Sequence, residues 1–344
     1  MKGEDNKKAG RIIFTEVILL LLLCGNFIYQ NYNAVGTFYS KEDYIKWVDF
    51  NVPYEAMQKA YEWDKETYGK EIHLNWIEML ACLAVKNGGD FSSYKNRQTD
   101  ELAEKLLTGE DTIASLMKEN KYYDYYLEAY HAVLDGMVGE YEVEKEGKWE
   151  KQYGIKAFLP IAKGYPYNDY DDFGSSRSYG YKRVHLGHDM MGQTGTPIVA
   201  IESGIVEALG WNQYGGWRIG IRSFDQKRYY YYAHLRQNFP YNKSLKEGSI
   251  VQAGDVIGYM GHTGYSTEEN VNNIDIPHLH WGMQLIFDES QKDGNNEIWI
   301  DCYQITRFLT QNRCETWKEQ ETKEYHRTNG FRDIENMEYI ESKQ

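Results

Sequence analysis

Pro277-His278-Leu279-His280-Trp281-Gly282-Met283-Gln284-Leu285-Ile286-Phe287 reads as a β-strand, because its residues are apolar or β-prone and carry no helix period. Side chains alternate along a strand with period two, so His278 and His280 project from the same face. Two imidazoles then look into one site, a geometry that suits a metal ligand beside a proton-transfer group. A single His-x-His also occurs without any function, so its meaning depends on partners elsewhere in the chain.

Outward from this strand the sequence keeps one character. Short apolar runs at Pro197 to Ile201, Gly204 to Leu209, Trp217 to Arg222, Arg228 to Leu235 and Val256 to Met260 alternate with Gly-rich turns. That pattern predicts an antiparallel all-β domain over residues 156–312, with Trp299 to Leu309 as a last strand or helix against it. At its start lies His185-Leu186-Gly187-His188-Asp189. An imidazole and a carboxylate four positions apart can converge on one ion, with Gly187 letting the backbone turn tightly. Zinc accepts such donors, and catalytic zinc sites commonly use three protein ligands from His and Asp or Glu, leaving a fourth position to water.

Together the two pieces resemble the paired signature of the lysostaphin-type zinc metalloendopeptidases, which cleave peptide bonds in bacterial peptidoglycan. Gly195-Thr196-Pro197, Gly204-Ile205-Val206, Tyr214-Gly215-Gly216-Trp217, Tyr232-Ala233-His234-Leu235, Ala253-Gly254-Asp255 and Gly261-His262-Thr263-Gly264-Tyr265-Ser266-Thr267 follow in that family's order, and the resemblance covers about residues 170–287. It implies a compact antiparallel β core, the duplicated hybrid motif, with a groove across it. It further implies one zinc ion on His185, Asp189 and His280, with His278 as general base or proton shuttle and His234 positioning water or stabilising the oxyanion. Against the family pattern, Glu268 to Ile276 is an insertion before Pro277, expected as a polar loop beside the groove that reshapes substrate access. Trp281 stands where Phe is usual. His188 and His262 are expected as exposed turn residues, while His73, His131 and His326 have no motif context.

Upstream the pattern changes. Residues 53–139 show apolar positions at three- and four-residue spacing and predict a small all-α accessory domain, with Asn75, Thr99 and Asp111 as N-caps. Glu78 would be a glycosidase-like acid only with a second carboxylate opposite it, and none can be assigned. Tyr122, Tyr123, Tyr125, Tyr126 and Tyr130 read as packing and surface residues. Residues 140–155 are charged without an apolar period and read as a linker; residues 31–52 read as a connector and 313–344 as a charged tail. The overall expectation is therefore α+β.

At the N-terminus, Lys2, Lys7, Lys8 and Arg11 precede an apolar run over residues 12–30 that is long enough for a single membrane span, which takes roughly 17–25 residues. The positive-inside rule puts residues 1–11 in the cytoplasm and the β domain on the cell-wall side. Secretion after signal cleavage is the alternative. The net charge of −14 argues against nucleic acid as a partner. The four cysteines are too few for a disulfide scaffold, although Cys302 and Cys314 could pair in an oxidising compartment. The reading is a membrane-anchored zinc endopeptidase acting on peptidoglycan peptides, with an envelope protein as a possible partner of the helical domain. The alternative is a non-catalytic docking or regulatory protein on the same fold.

Overall fold

The computed structural model describes residues 44–179, 181–337 and 340, and Lys46–Gln344 form one compact unit. The expected anchor at 12–30, the residues before it and most of the connector lie outside the described residues. Among the described residues, no helix is long and apolar enough to cross a membrane.

Five helices come first: α1 Tyr54–Thr67, α2 Trp76–Asn87, α3 Asn96–Leu107, α4 Ile113–Met117 and α5 Tyr123–Leu134. Asn75 caps α2 as expected, its side chain accepting from the Ile77 and Glu78 amides, and Gly88 closes it in the left-handed conformation. The other two expected caps are displaced. Thr99 is buried inside α3 with its hydroxyl on Tyr94, and Thr112 rather than Asp111 caps α4. Glu78 sits in the first turn of α2.

The helices are not a separate domain, contrary to the sequence expectation. Trp76 stacks on Phe308 at 5.4 Å between ring centroids, and Tyr61 meets the same ring at 5.7 Å. Phe308 belongs to α6 Tyr303–Leu309, on the far side of the β domain in sequence. At the other end of the layer, the buried Arg228 guanidinium donates to the Ala132 carbonyl in the last turn of α5 at 2.9 Å. Glu202 holds that guanidinium at 2.8 and 3.0 Å. A helix C-terminus carries partial negative charge and unpaired carbonyls, so a cation fixed by a carboxylate is a suitable seat for it.

The charged stretch expected as a linker is a hairpin, β1 Val138–Lys145 and β2 Lys148–Ile155, and β17 Phe331–Asp333 adds to it from the expected tail. Its residues are mostly half-exposed, so alternation carried no apolar signal. What fixes it is tertiary: buried Lys156 pairs with Asp333 at 3.2 Å, and Tyr153 stacks on Tyr68 at 3.7 Å. Another part of the expected tail is likewise folded, with β15 Thr316–Lys318 paired to β16 Tyr325–Arg327.

The main sheet is antiparallel. Besides β3 Asn168–Asp169, β6 His188–Met191 and β8 Gly204–Asn212, it contains β9 Gly216–Ser223, β10 Arg228–Ala233, β11 Ile250–Val251, β13 His278–Leu285 and β14 Ile298–Ile300. The order is β11-β8-β9-β10-β13-β6-β3, with β14 also on β13. Two short pairs complete the domain: β7 Pro197–Val199 with β12 Val256–Tyr259, and β4 Ser176–Tyr179 with β5 Tyr181–Val184. Cys302 and Cys314 are both free and buried, so the disulfide considered from sequence is not formed.

Candidate active site

The site lies at one end of β10, β13 and β6. Leu279 and Trp281 are fully buried while His278 and His280 face the other way, so the expected shared face is present. Register supplies the next partner: His280 lies directly opposite Asp189 on β6, and Ala233 lies opposite His280 on β10. Directly opposed residues have Cβ atoms about 4.5–5.5 Å apart, within reach of a common ion. His185 enters from the loop before β6. Its Nε2 stands 3.1 Å from both Asp189 Oδ1 and His280 Nδ1, and the latter two atoms are 2.9 Å apart. Among the described residues, these three groups could hold one metal ion.

The donors fit zinc. A tetrahedron with metal bonds of 2.0–2.1 Å has edges of about 3.3 Å, close to this triangle. Protonation also suits a ligand set. Burial raises the Asp189 carboxyl, but hydrogen bonds from His185 and His280 outweigh it and hold the group well below the usual carboxylate range. Burial lowers His280 despite the nearby carboxylate, which keeps it neutral. His185 is lowered by burial yet raised overall by Asp189 and Asp172. Its Nδ1 donates to the Asp172 backbone carbonyl at 3.3 Å and lies 3.1 Å from that residue's carboxylate, leaving Nε2 for the ion, the usual way an outer partner orients a metal-bound imidazole. Arg177 pairs with Asp172 and lies 3.7 Å from Asp189 Oδ2. Sequence reasoning missed Asp172 and Arg177, which lie in a polar, motif-free stretch.

Two histidines stand beside the triangle without joining it. His278 Nε2 is 3.8 Å from Asp189 Oδ1, and the His278 and His234 rings are 4.7 Å apart. A carbonyl fixes the tautomer of each: His278 Nδ1 donates to the Ile276 oxygen at 2.8 Å and His234 Nδ1 to the Thr263 oxygen at 2.9 Å. In the neutral imidazole each Nε2 is then the lone-pair nitrogen. Burial, then the adjoining His278 and His280, pushes His234 well below the ordinary histidine range, so it is neutral. His234 also sits in the left-handed region at φ +59°, held by its amide on the Gly215 oxygen at 2.7 Å. A β-substituted residue so placed is strained, and such positions concentrate at functional sites.

The remaining histidines are elsewhere. His188, expected as exposed, is 1% exposed and pairs with Asp169 at 3.0 Å, because β6 turns it to the face opposite Asp189. His262, also expected as exposed, is half-buried, and its Nδ1 donates to the Ile274 oxygen at 2.7 Å. His73 and His131 pair with Asp64 and Asp135, and His326 lies near Glu319. The 268–276 insertion is stapled to the 237–238 turn, with Trp217 Nε1 on Asn270 Oδ1 at 2.9 Å and Gln237 Nε2 on the Asn270 oxygen at 2.7 Å. None of its residues lines the cavity of about 690 Å³ beside His280.

A sheet carrying a His-Asp-His triangle with two flanking imidazoles is the arrangement of a metallopeptidase, and residues 183–293 match the model of peptidase family M23; the chain contains a domain of that family. Among known proteins it is similar to the L-Ala–D-Glu endopeptidase of Bacillus subtilis, 41% identical over 131 residues that make up 38% of each chain. It is also similar to lysostaphin of Staphylococcus simulans, 40% identical over 99 residues, 28% of this chain and 17% of that one. The chain thus spans well under half the length of these curated relatives. It shares its fold with a Ruminococcus gnavus protein provisionally named a glycyl-glycine endopeptidase lytM, at 23% identity and a TM-score of 0.53, covering 79% of this chain and 92% of that one. That coverage reaches beyond the peptidase domain.

Proposed function

We propose that this chain is a zinc-dependent endopeptidase that hydrolyses peptide bonds in bacterial peptidoglycan, anchored by residues 12–30 with its folded part on the cell-wall side. The observation that carries the reading is the convergence of His185, Asp189 and His280 within 3.1 Å of one another, with two lone pairs, on His278 and His234, aimed beside them. The relatives' names supply the substrate class, and the apolar run with its basic flank supplies the location.

When bound, zinc polarises the scissile carbonyl and lowers the pKa of water to about 7. The chain's own residues do the rest. Asp172 fixes the His185 ring, and Asp189 stays ionised across the working range. His278 Nε2 takes the proton from the attacking water and returns it to the leaving amine, since its Nδ1 is committed to Ile276. His234, neutral and with Nε2 as an acceptor, orients the water. In this tautomer it does not donate to an oxyanion, which supports the water-positioning role over the other.

The test is to incubate the full chain with purified peptidoglycan, zinc-loaded and chelator-treated, and to measure new free amines. Release only in the zinc-loaded sample is the expected outcome. A folded, zinc-loaded protein that releases none would leave the docking reading instead.

A further inference from the structure

The cavity beside His280 contains two guanidiniums without carboxylate partners. Arg183 and Arg218 both line it, together with Asn212, Tyr214, Tyr231 and His280, and neither forms an ion pair among the described residues. Arg183 donates to the Tyr265 hydroxyl and lies over that ring at 4.7 Å, but its Nε is buried with no hydrogen-bond partner. A buried charged donor left unsatisfied costs more than a satisfied one returns, so such an atom marks a place where an acceptor is missing.

The two cations share the cavity with His185 and His280. Tyr231 lines the same cavity, its ring 6.0 Å from that of His280. Burial pushes the Tyr231 phenol up, and after the hydrogen bond from Asn212 it is Arg218 and Arg183 that pull against the rise. The cavity's acids lie elsewhere. Glu207 is engaged by Arg222 and Lys292. Glu297 accepts from Trp299 Nε1 and the Gly294 amide. Asp293 acts on Tyr229, one alternate position along β10 from Tyr231, where the Arg218 charge acts more strongly than it does. An anion entering the cavity therefore meets positive charge without an ion-pair partner along Tyr229 and Tyr231, the latter beside His280.

We propose that Arg183 and Arg218 form a carboxylate seat that binds a free acid group of the substrate peptide adjacent to the cleaved bond, so that the chain prefers an acidic stem peptide to a neutral glycine bridge. The proposal rests on the endopeptidase reading and narrows its substrate. Arginine suits the task because its planar fork presents paired donors to a carboxylate, and charge-assisted bonds of this kind are the strong ones.

The experiment measures binding without turnover. The full chain, freed of metal with a chelator so that no ion attracts the ligand, is titrated calorimetrically with L-Ala–γ-D-Glu–L-Lys. A second titration uses the same peptide with the Glu α-carboxylate amidated. The free acid should bind roughly 10-fold tighter or more, as expected for a charge-assisted bond, and the preference should shrink at high salt. In Arg218→Gln and Arg183→Gln the ratio of the two dissociation constants should collapse towards one, with far-UV circular dichroism unchanged. Equal affinity for both peptides, a ratio that survives both substitutions, or no binding of either peptide would overturn the seat. Because no cleavage is measured, a failure of the endopeptidase reading would appear separately, as absence of amine release from peptidoglycan.

Discussion

Gly187→Ala should weaken zinc binding without unfolding the protein. An ideal Cβ at position 187 would lie 2.5 Å from His280 Cε1, 2.6 Å from Nε2 and 2.8 Å from the Trp281 carbonyl oxygen. Ordinary carbon contacts are about 3.5–4.0 Å, so the ring has to retreat by about 1 Å. The carbonyl belongs to the central strand β13 and cannot follow. Metal sites tolerate ligand errors of only about 0.2 Å, so His280 Nδ1 would leave the triangle it shares with His185 and Asp189. The expected loss in zinc affinity is about 10- to 100-fold, the range seen when the support of a ligand is removed, with an overpacking cost of about 1–3 kcal/mol. Competition against a chromophoric zinc chelator gives the affinity, and urea denaturation of the metal-free protein gives the stability. Wild-type zinc affinity in a folded Gly187→Ala protein would refute the idea that this glycine exists to make room for His280.

His280→Ala should lose metal, because it removes a donor, whereas His278→Ala should retain metal and lose amine release from peptidoglycan; equal loss of zinc in both would reverse the assigned roles. Zinc affinity should fall with pH by up to about one decade per unit as protons compete for one ligand. The sign follows from the shifts. His185 is raised, so competition begins above the ordinary value near 6.5, while the lowered His280 and Asp189 stay deprotonated there; a flat chelator-competition profile between pH 8 and 6, roughly the span around the histidine value, would contradict this. Glu202→Gln should cost about 3–5 kcal/mol in urea denaturation, because it leaves the buried Arg228 without its main counter-charge and loosens the seat of α5; a change within the noise of the measurement would mean that the Ala132 carbonyl and Asp225 suffice.

Much of the site was legible because it is written in local periods. The spacing of two between His278 and His280 guarantees a common face in any strand, and the structure keeps it. The role of Gly187 was legible only in part. Its residue type pointed to a special constraint, but the glycine is not at a positive φ; the need is space for a ring from a strand about ninety residues away. The charged hairpin at 138–155 was illegible because a ribbon whose faces are mostly half-exposed needs no apolar alternation. Its place is set by Lys156, Asp333 and the Tyr68–Tyr153 stack. His188 was misjudged because neighbours on a strand point to opposite faces, so the residue beside a ligand is buried in the layer behind it.

By itself, then, the sequence determined which side chains are available, which share a face, and that a His-Asp pair and a His-x-His belong to one β domain. Tertiary structure decided that Asp189 faces His280, that His185 closes the triangle, that Thr263 and Ile276 turn the Nε2 atoms of His234 and His278 outward, and that Arg183 and Arg218 form no ion pair among the described residues. The physical reason is range. Periodicity and propensity act over a few residues, whereas strand register, the carbonyl that fixes a tautomer and the acid that a cation lacks are all set by segments distant in the chain.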